Sequence, residues 1–155
     1  MQARMKEHPL TAEQMDCLLD TTSVGHLATL GENGFPYVTP VHFVRMNGRV
    51  YFHGLAAGQK LKNLRADARV CFEVEGAHKF IQADTPCDTN TAYQSVIITG
   101  HAAVVEDSAV KTAALDAIVA KYTPQHAGAV YPANMLKMTA VVAITIHEIT
   151  GKYYA

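Results

Sequence analysis

The sequence predicts a mainly β protein with flanking helices, an antiparallel barrel formed by one domain spanning residues 1–155. Two observations lead there. Apolar runs of strand length follow one another through hairpin turns, and the regular βαβ alternation of a doubly wound sheet is missing. The length, 155 residues, suffices for one substantial core and is too short to divide comfortably into two domains.

The elements follow in order. Thr11 can cap a helix, and Gln14 completes a Thr-x-x-Gln capping box, after which Met15, Leu18 and Leu19 share a face. Val24 to Leu30 and Tyr37 to Val44 are apolar runs around the turn Gly31-Glu32-Asn33-Gly34, a hairpin signal. Pro40 cannot donate to a ladder, which places it at an edge, a bulge or beside something other than a strand. Asn47-Gly48 tolerates the positive φ values of a type I′ turn, so Arg49 to His53 returns antiparallel. A glycine-containing loop then opens into a short helix around Leu61 to Leu64. Arg69 to Glu75 alternates cleanly, with Val70, Phe72 and Val74 on one face. Gly76 to Ala92 is polar and reads as a long loop. Ser95 to Glu106 is a strand with a bulge expected at Gly100. Asp107 caps a helix carrying Leu115, Ile118, Val119 and Tyr122 at helical spacing, ended by Thr123-Pro124. Val141 to Ile149 is a final β-branched strand, expected to stop at Thr150-Gly151-Lys152. The total is about six strands, two longer helices and one short one.

The net charge is −1, and no basic stripe or acidic tail points to nucleic acid, membrane or polyanion partners. Apolar runs such as Ala140 to Ile144 are far shorter than a membrane span. The N-terminal stretch MQARMKEHPL lacks the apolar core of a signal peptide, so a cytoplasmic location is expected. Cys17, Cys71 and Cys87 are odd in number and widely spaced, which fits unpaired thiols and no disulfide framework. The eight histidines include no H-x-H or H-x-x-x-H pair, and no metal site is expected.

The informative segment is His53 to Leu64. A strand ends, Gly54 and Gly58 let backbone amides turn inward, and a helix starts at Lys60. Helix N-termini carry unsatisfied N–H groups and partial positive charge, so the segment is an anion site in principle, with Lys60 adding a full charge. It is not a P-loop: the glycines are four apart, Lys60 does not directly follow Gly58, and no Ser or Thr follows Lys60 to hold magnesium. Taken alone, a surface loop with a solvated lysine explains it as well. His42 and His53, taken alone, read as ordinary half-buried strand histidines.

The ordered set around this loop says more. Gly25-His26-Leu27-Ala28-Thr29, Gly34-Phe35-Pro36-Tyr37-Val38, Thr39-Pro40-Val41-His42-Phe43, Tyr51-Phe52-His53-Gly54 with Gly58-Gln59-Lys60, Arg69-Val70-Cys71-Phe72 and Tyr93-Gln94-Ser95-Val96-Ile97 occur in that sequence. Together, from about Leu10 to Lys152, they resemble the FMN-binding split-barrel family that includes pyridoxamine 5′-phosphate oxidase, and most nearly its nitroimidazole-reductase-like (Nim) branch. The resemblance implies a six-stranded antiparallel split β-barrel, paired as a homodimer with FMN at the subunit interface. It places Val38, Thr39, Pro40, Val41 and His42 along the flavin, and His53 and Gly54 beside the ribityl-phosphate. Gly58, Gln59 and Lys60 would hold the phosphate, and Gln94 and Ser95 would reach in from the partner strand. The oxidase's denser basic cluster and its C-terminal Arg and Trp pattern are absent, and the chain has no Trp, which argues against vitamin B6 oxidation.

The resemblance therefore implies a flavin-dependent reductase passing electrons to a small acceptor such as a nitroaromatic, with His53 the catalytic candidate. An imidazole has a pKa close to neutrality and is suited to donate a proton. The protein need only orient and tune the flavin, since the cofactor carries the electrons. The alternatives are a non-enzymatic flavin carrier or sensor, and haem binding as in some split-barrel relatives. Dimerisation has a second argument: Ser95 to Ile98 and Val141 to Ile146 offer more β-branched surface than one small barrel needs.

Overall fold

The structure, a computed structural model, describes residues 7–155; the first six residues of the N-terminal stretch lie outside them. The described strands are β1 (Gly25–Leu30), β2 (Pro36–Val41), β3 (Phe43–Met46), β4 (Arg49–Leu55), β5 (Arg69–Glu75), β6 (Lys79–Ile81), β7 (Asn90–Val104) and β8 (Thr139–Tyr154). The helices are α1 (Ala12–Thr21), α2 (Gln59–Ala66), α3 (Ser108–Tyr122) and α4 (Ala133–Met138), with a 3₁₀ turn at Pro124–His126.

One antiparallel sheet runs in the order β2-β1-β5-β7-β8-β4-β3, and β6 pairs only with β7. Its two edge strands, β2 and β3, are joined in the chain by the single residue His42, yet no ladder pairs them. The sheet is therefore a barrel left open along that seam. Pro40 sits on the edge strand β2 opposite His26, where a missing donor costs no ladder bond on the outer side.

Strand alternation sorts the side chains into two layers. Leu27, Phe43, Phe52, Phe72, Val50, Val74, Val96, Ile98 and Ile144 point into the barrel and are fully buried. Each such side chain contributes about 1.5–3 kcal/mol. Leu18 and Leu19 of α1 join this core. On the opposite face of β3, β4 and β8, Val44, Tyr51, Val141 and Ala143 pack under Ala114, Leu115 and Ile118 of α3. Both long helices begin as their sequences require. The Thr11 hydroxyl accepts from the Gln14 amide at 3.2 Å while the Gln14 side chain accepts from the Thr11 amide at 2.8 Å. The Asp107 carboxylate accepts from Ala109 and Val110 at the start of α3.

Asn47 and Gly48 have φ values of 51° and 70°, as a type I′ turn demands. The ladder between β7 and β8 shifts register at Thr99/Gly100, where a side chain on Gly100 would collide with the Thr145 carbonyl oxygen.

Eight strands replace the expected six for two reasons. The run Tyr37 to Val44 breaks at His42 into β2 and β3, and the segment read as a loop from Gly76 to Ala92 contains β6. β8 does not stop at Thr150 but continues through Gly151 to Tyr154. Gly151 is an interior strand residue because the ladder to β7 continues through Val96, Ser95 and Gln94, and Met15 of α1 leaves no room for a side chain: a Cβ there would lie 2.7 Å from Met15 Cγ. The surplus β-branched surface expected at Val141 to Ile146 is largely absent, since Val141 to Ile144 are buried by the core on one side and α3 on the other. No helix among the described residues is long and apolar enough to cross a membrane.

Candidate functional site

The segment His53 to Lys60 folds as its glycines suggest. β4 ends at Leu55, and Gly58 takes φ 127°, a conformation a side chain would resist, as the N-cap of α2. No side chain caps this helix, so its first amides remain available to an acceptor, with the partial positive charge of the helix end behind them. The Lys60 ammonium turns back over β4. It lies 5.4 Å above the Phe52 ring centroid and 3.3 Å from where a Cβ on Gly54 would stand. Burial pushes its pKa down, and no carboxylate pairs with it among the described residues. Its neighbours are engaged: Lys62 pairs with Glu32 at 2.8 Å, and Arg65 donates to the Ala56 carbonyl at 3.5 Å.

Two buried polar atoms lack partners, Thr39 Oγ1 on β2 and His53 Nδ1 on β4. Among the described residues they are the buried side-chain atoms in that condition, and both lie on strands predicted to border a ligand. A buried hydroxyl or imidazole nitrogen left unpaired costs roughly 1–3 kcal/mol, so a group that completes them is favoured. For His53, burial lowers the pKa most, followed by the charges of His42 and Lys60, and the neutral imidazole is the favoured form.

The strand Val38 to His42 does not present all its side chains to one place. Thr39 and Val41 pair with Leu27 and Gly25 and face inward, while Val38 and Pro40 face outward opposite Ala28 and His26. Gln59 offers less side chain than expected. Its amide donates to Asn63 Oδ1 at 2.7 Å, and Asn63 in turn donates to Thr29 Oγ1 at 2.9 Å. This buried chain fastens α2 to β1, and Asn63 at 0 % exposure is the residue sequence reasoning missed. Its only trace in the sequence is a polar residue between Leu61 and Leu64, four positions after Gln59.

Gln94 and Ser95 are not in this neighbourhood. β4 meets β8 at His53 and Val141, next to the pairing of Val142 with Val104, whereas Gln94 pairs with Tyr153 at the far end of β7. From residue 104 to residue 94 the strand covers about 30 Å at roughly 3.3 Å per residue. Two clefts flank α2. One of about 370 Å³ lies between the β1–β2 turn and the helix, lined by Gly31, Asn33, Phe35, Tyr37, Gln59 and Asn63. The other, of about 350 Å³, is lined by Ala56, Leu61, Arg65, Lys111 and Leu136 among others.

The family model for pyridoxamine 5′-phosphate oxidase matches residues 11–153. The chain belongs to that family. Solved structures agree on the fold. A candidate 5-nitroimidazole antibiotic resistance protein of Bacteroides thetaiotaomicron superposes with a TM-score of 0.82 at 23 % identity, over 94 % of this chain and 86 % of its own. The flavocytochrome Anf3 of Azotobacter vinelandii superposes at 0.88 with 29 % identity, over 99 % and 72 %. The FAD and haem binding protein of Mycobacterium smegmatis gives 0.83 at 23 %, over 92 % and 71 %. No curated protein sequence matches the chain.

Proposed function

We propose that this member of the family binds FMN and works as a homodimeric reductase toward a small acceptor such as a nitroaromatic. The observation that carries the reading is the cradle itself. It comprises an uncapped helix start and an ammonium with no carboxylate partner among the described residues, with two buried unpaired polar atoms on β2 and β4, strands that the resemblance sets beside the flavin. Lys60 and the α2 amides would hold a terminal phosphate, with Gly54 and His53 beside the ribityl-phosphate and Thr39 along the flavin, and His53 would also meet the acceptor. FMN supplies two-electron transfer when bound. One anion cradle without a G-x-G-x-x-G fingerprint favours FMN over a dinucleotide.

The homodimer is supported by the resemblance that sets Gln94 and Ser95 at the flavin. In one chain they lie about 30 Å along β7 from the strand position beside His53, so a second copy would have to bring them to the cradle. The outer face of β2 and β1 suits such a contact, with Val38 and Leu30 at 58 % and 40 % exposure. A second reading is haem binding. It is favoured by the likeness to a flavocytochrome and by the unpaired His53 Nδ1, an imidazole nitrogen free to ligate iron. A non-enzymatic flavin carrier is the third.

The visible spectrum of the purified protein, with chromatography of the group released on denaturation, separates these readings. FMN is expected. FAD, a Soret band, or failure to take up added FMN would overturn it. A flavoprotein whose reduced form ignores nitroaromatics and quinones would instead be a carrier.

A further inference from the structure

His42 and His53 form a cross-strand pair that the family reading leaves without a joint role. Phe43 pairs with Phe52 at the end of the β3–β4 ladder, and one further step of that register sets His42 opposite His53. Directly opposed residues of antiparallel strands have Cβ atoms about 4.5–5.5 Å apart. Alternation puts both imidazoles on the face that carries Val44 and Tyr51, the face covered by α3. The two differ in access: His42 is exposed, while His53 Nδ1 is buried without a partner.

His42 is also held in place. Its ring lies on that of Tyr122, with centroids 4.7 Å apart and planes tilted by 37°. The Tyr122 hydroxyl accepts from the Phe43 amide at 2.9 Å, and the carbonyls of Ser23 and Phe43, each at 2.9 Å, compete for its proton. The ring that supports His42 is thus tied to the backbone of the residue that follows it.

We propose that His42 is a positioning residue that reloads His53 with protons from solvent, so that the pair works as a two-step proton entry to the buried side of the site. This rests on the reading of the site as a reductase centre. The bookkeeping involves protons alone. His53 releases one to the reduced acceptor and becomes neutral; it takes the next from the His42 imidazolium, directly or through one water; His42 takes its own from bulk water. The electrons come from the reduced flavin. Burial disfavours a proton on His53 most, and the neighbouring His42 and Lys60 at the start of α2 add to it, so a proton on His53 is readily given up.

The test has two parts. In the apoprotein, His53 is titrated by NMR in wild type and in His42→Gln. Removal of the facing charge should raise the His53 midpoint, and an unchanged midpoint overturns the pairing. In the FMN-loaded protein reduced with dithionite, reoxidation by a nitroimidazole is followed at low buffer concentration. His42→Gln should be slower by about tenfold, less than the roughly 10²–10⁴-fold of a group that transfers the proton itself because His42 acts through His53, with a shifted pH profile, and added imidazole should restore the rate. Tyr122→Leu, which keeps His42 but removes its support, should show the same defect in milder form. A wild-type rate in His42→Gln, or a loss that imidazole does not rescue, overturns the relay. If the protein takes up no flavin, the relay falls with the site reading, whereas the titration still reports on the pair.

Discussion

Lys60 occupies the space that a side chain on Gly54 would claim: its Nζ is 3.3 Å, and its Cε 3.4 Å, from the position of a Cβ there. The two residues make the cradle a matched pair, a bare backbone position and an ammonium folded over it. Lys60→Ala should weaken FMN binding by about 1.5–3 kcal/mol, the range for a hydrogen bond to a charged group. Gly54→Ala should act in the same direction but more weakly, because the flexible end of Lys60 has to give by only a few tenths of an ångström. Riboflavin, which has no phosphate, should bind wild type and variants alike. Flavin fluorescence titration measures both ligands, and equal FMN affinity for wild type and Lys60→Ala would reduce the lysine to a solvated surface charge.

Asn63 ties α2 to β1 through Thr29. Asn63→Leu removes that bond and leaves the Thr29 hydroxyl with its 3.3 Å donation to the Tyr37 carbonyl. The expected loss is about 0.5–1.5 kcal/mol, the net worth of a typical hydrogen bond. It should appear as a lower urea midpoint at unchanged slope, together with weaker FMN binding because the helix start carries the cradle. A neutral outcome would mean that α2 is held by Leu61 and Leu64 alone.

The features legible in the sequence were those with local causes. Thr11 with Gln14, Asp107, Asn47-Gly48 and the alternation of Arg69 to Glu75 each impose a backbone state within a few residues, and each is found as read. The bulge at Gly100 was legible because glycine inside a strand has few other uses. What escaped depends on distant partners. β8 runs on past Gly151 because it pairs with β7 on one side and with Pro9 on the other, which no turn propensity reveals. The seam at His42 follows from sheet closure, and Asn63 reads as solvent-facing until Thr29, far away in sequence, is brought against it. The candidate site divides the same way. Gly54, Gly58 and Lys60 are contiguous in effect, while the face assignments of Val38 to His42 required the register with β1.

Two strand glycines should respond differently to alanine. At Gly100 the obstacle is backbone, the Thr145 carbonyl of the paired strand, which cannot move without opening the β7–β8 ladder. At Gly151 the closest obstacle is the flexible Met15 side chain, at 2.7 and 2.9 Å, with Leu10 Cβ at 3.0 Å behind it. Gly100→Ala should therefore cost about 1–3 kcal/mol, as overpacking does, and Gly151→Ala clearly less. Thermal melts of the two variants compare them, and a reversed order would contradict the assigned register.

Stability should fall on the acid side partly through His53. Burial and the two neighbouring positive charges lower its pKa in the folded state. The unfolded chain, with an ordinary value of about 6.5, then binds the proton first as pH drops. Stability from this group is present above about pH 6.5, is lost as pH falls below it, and levels off beneath the folded-state pKa. His53→Gln should flatten that segment of the curve in apoprotein. Urea midpoints at several pH values measure it, and parallel curves for wild type and variant would show that His53 is not held neutral.

The shared site can be tested by complementation, because its proposed halves lie far apart within one chain, near opposite ends of β7. Gln94 is about 30 Å along β7 from the strand position beside His53. If the partner's copy of Gln94 completes the site, then Lys60→Ala and Gln94→Ala homodimers each carry two defective sites. A mixed dimer carries one site with both defects and one with none. Refolding the two variants together in equal amounts should give half mixed dimers, and so restore about a quarter of wild-type FMN-dependent activity where neither alone has much. The recovery should follow mixing and disappear if the chains are refolded separately. No recovery, alongside a mixed dimer demonstrated by differential tagging, would place Gln94 outside the site and leave the cradle to a single chain.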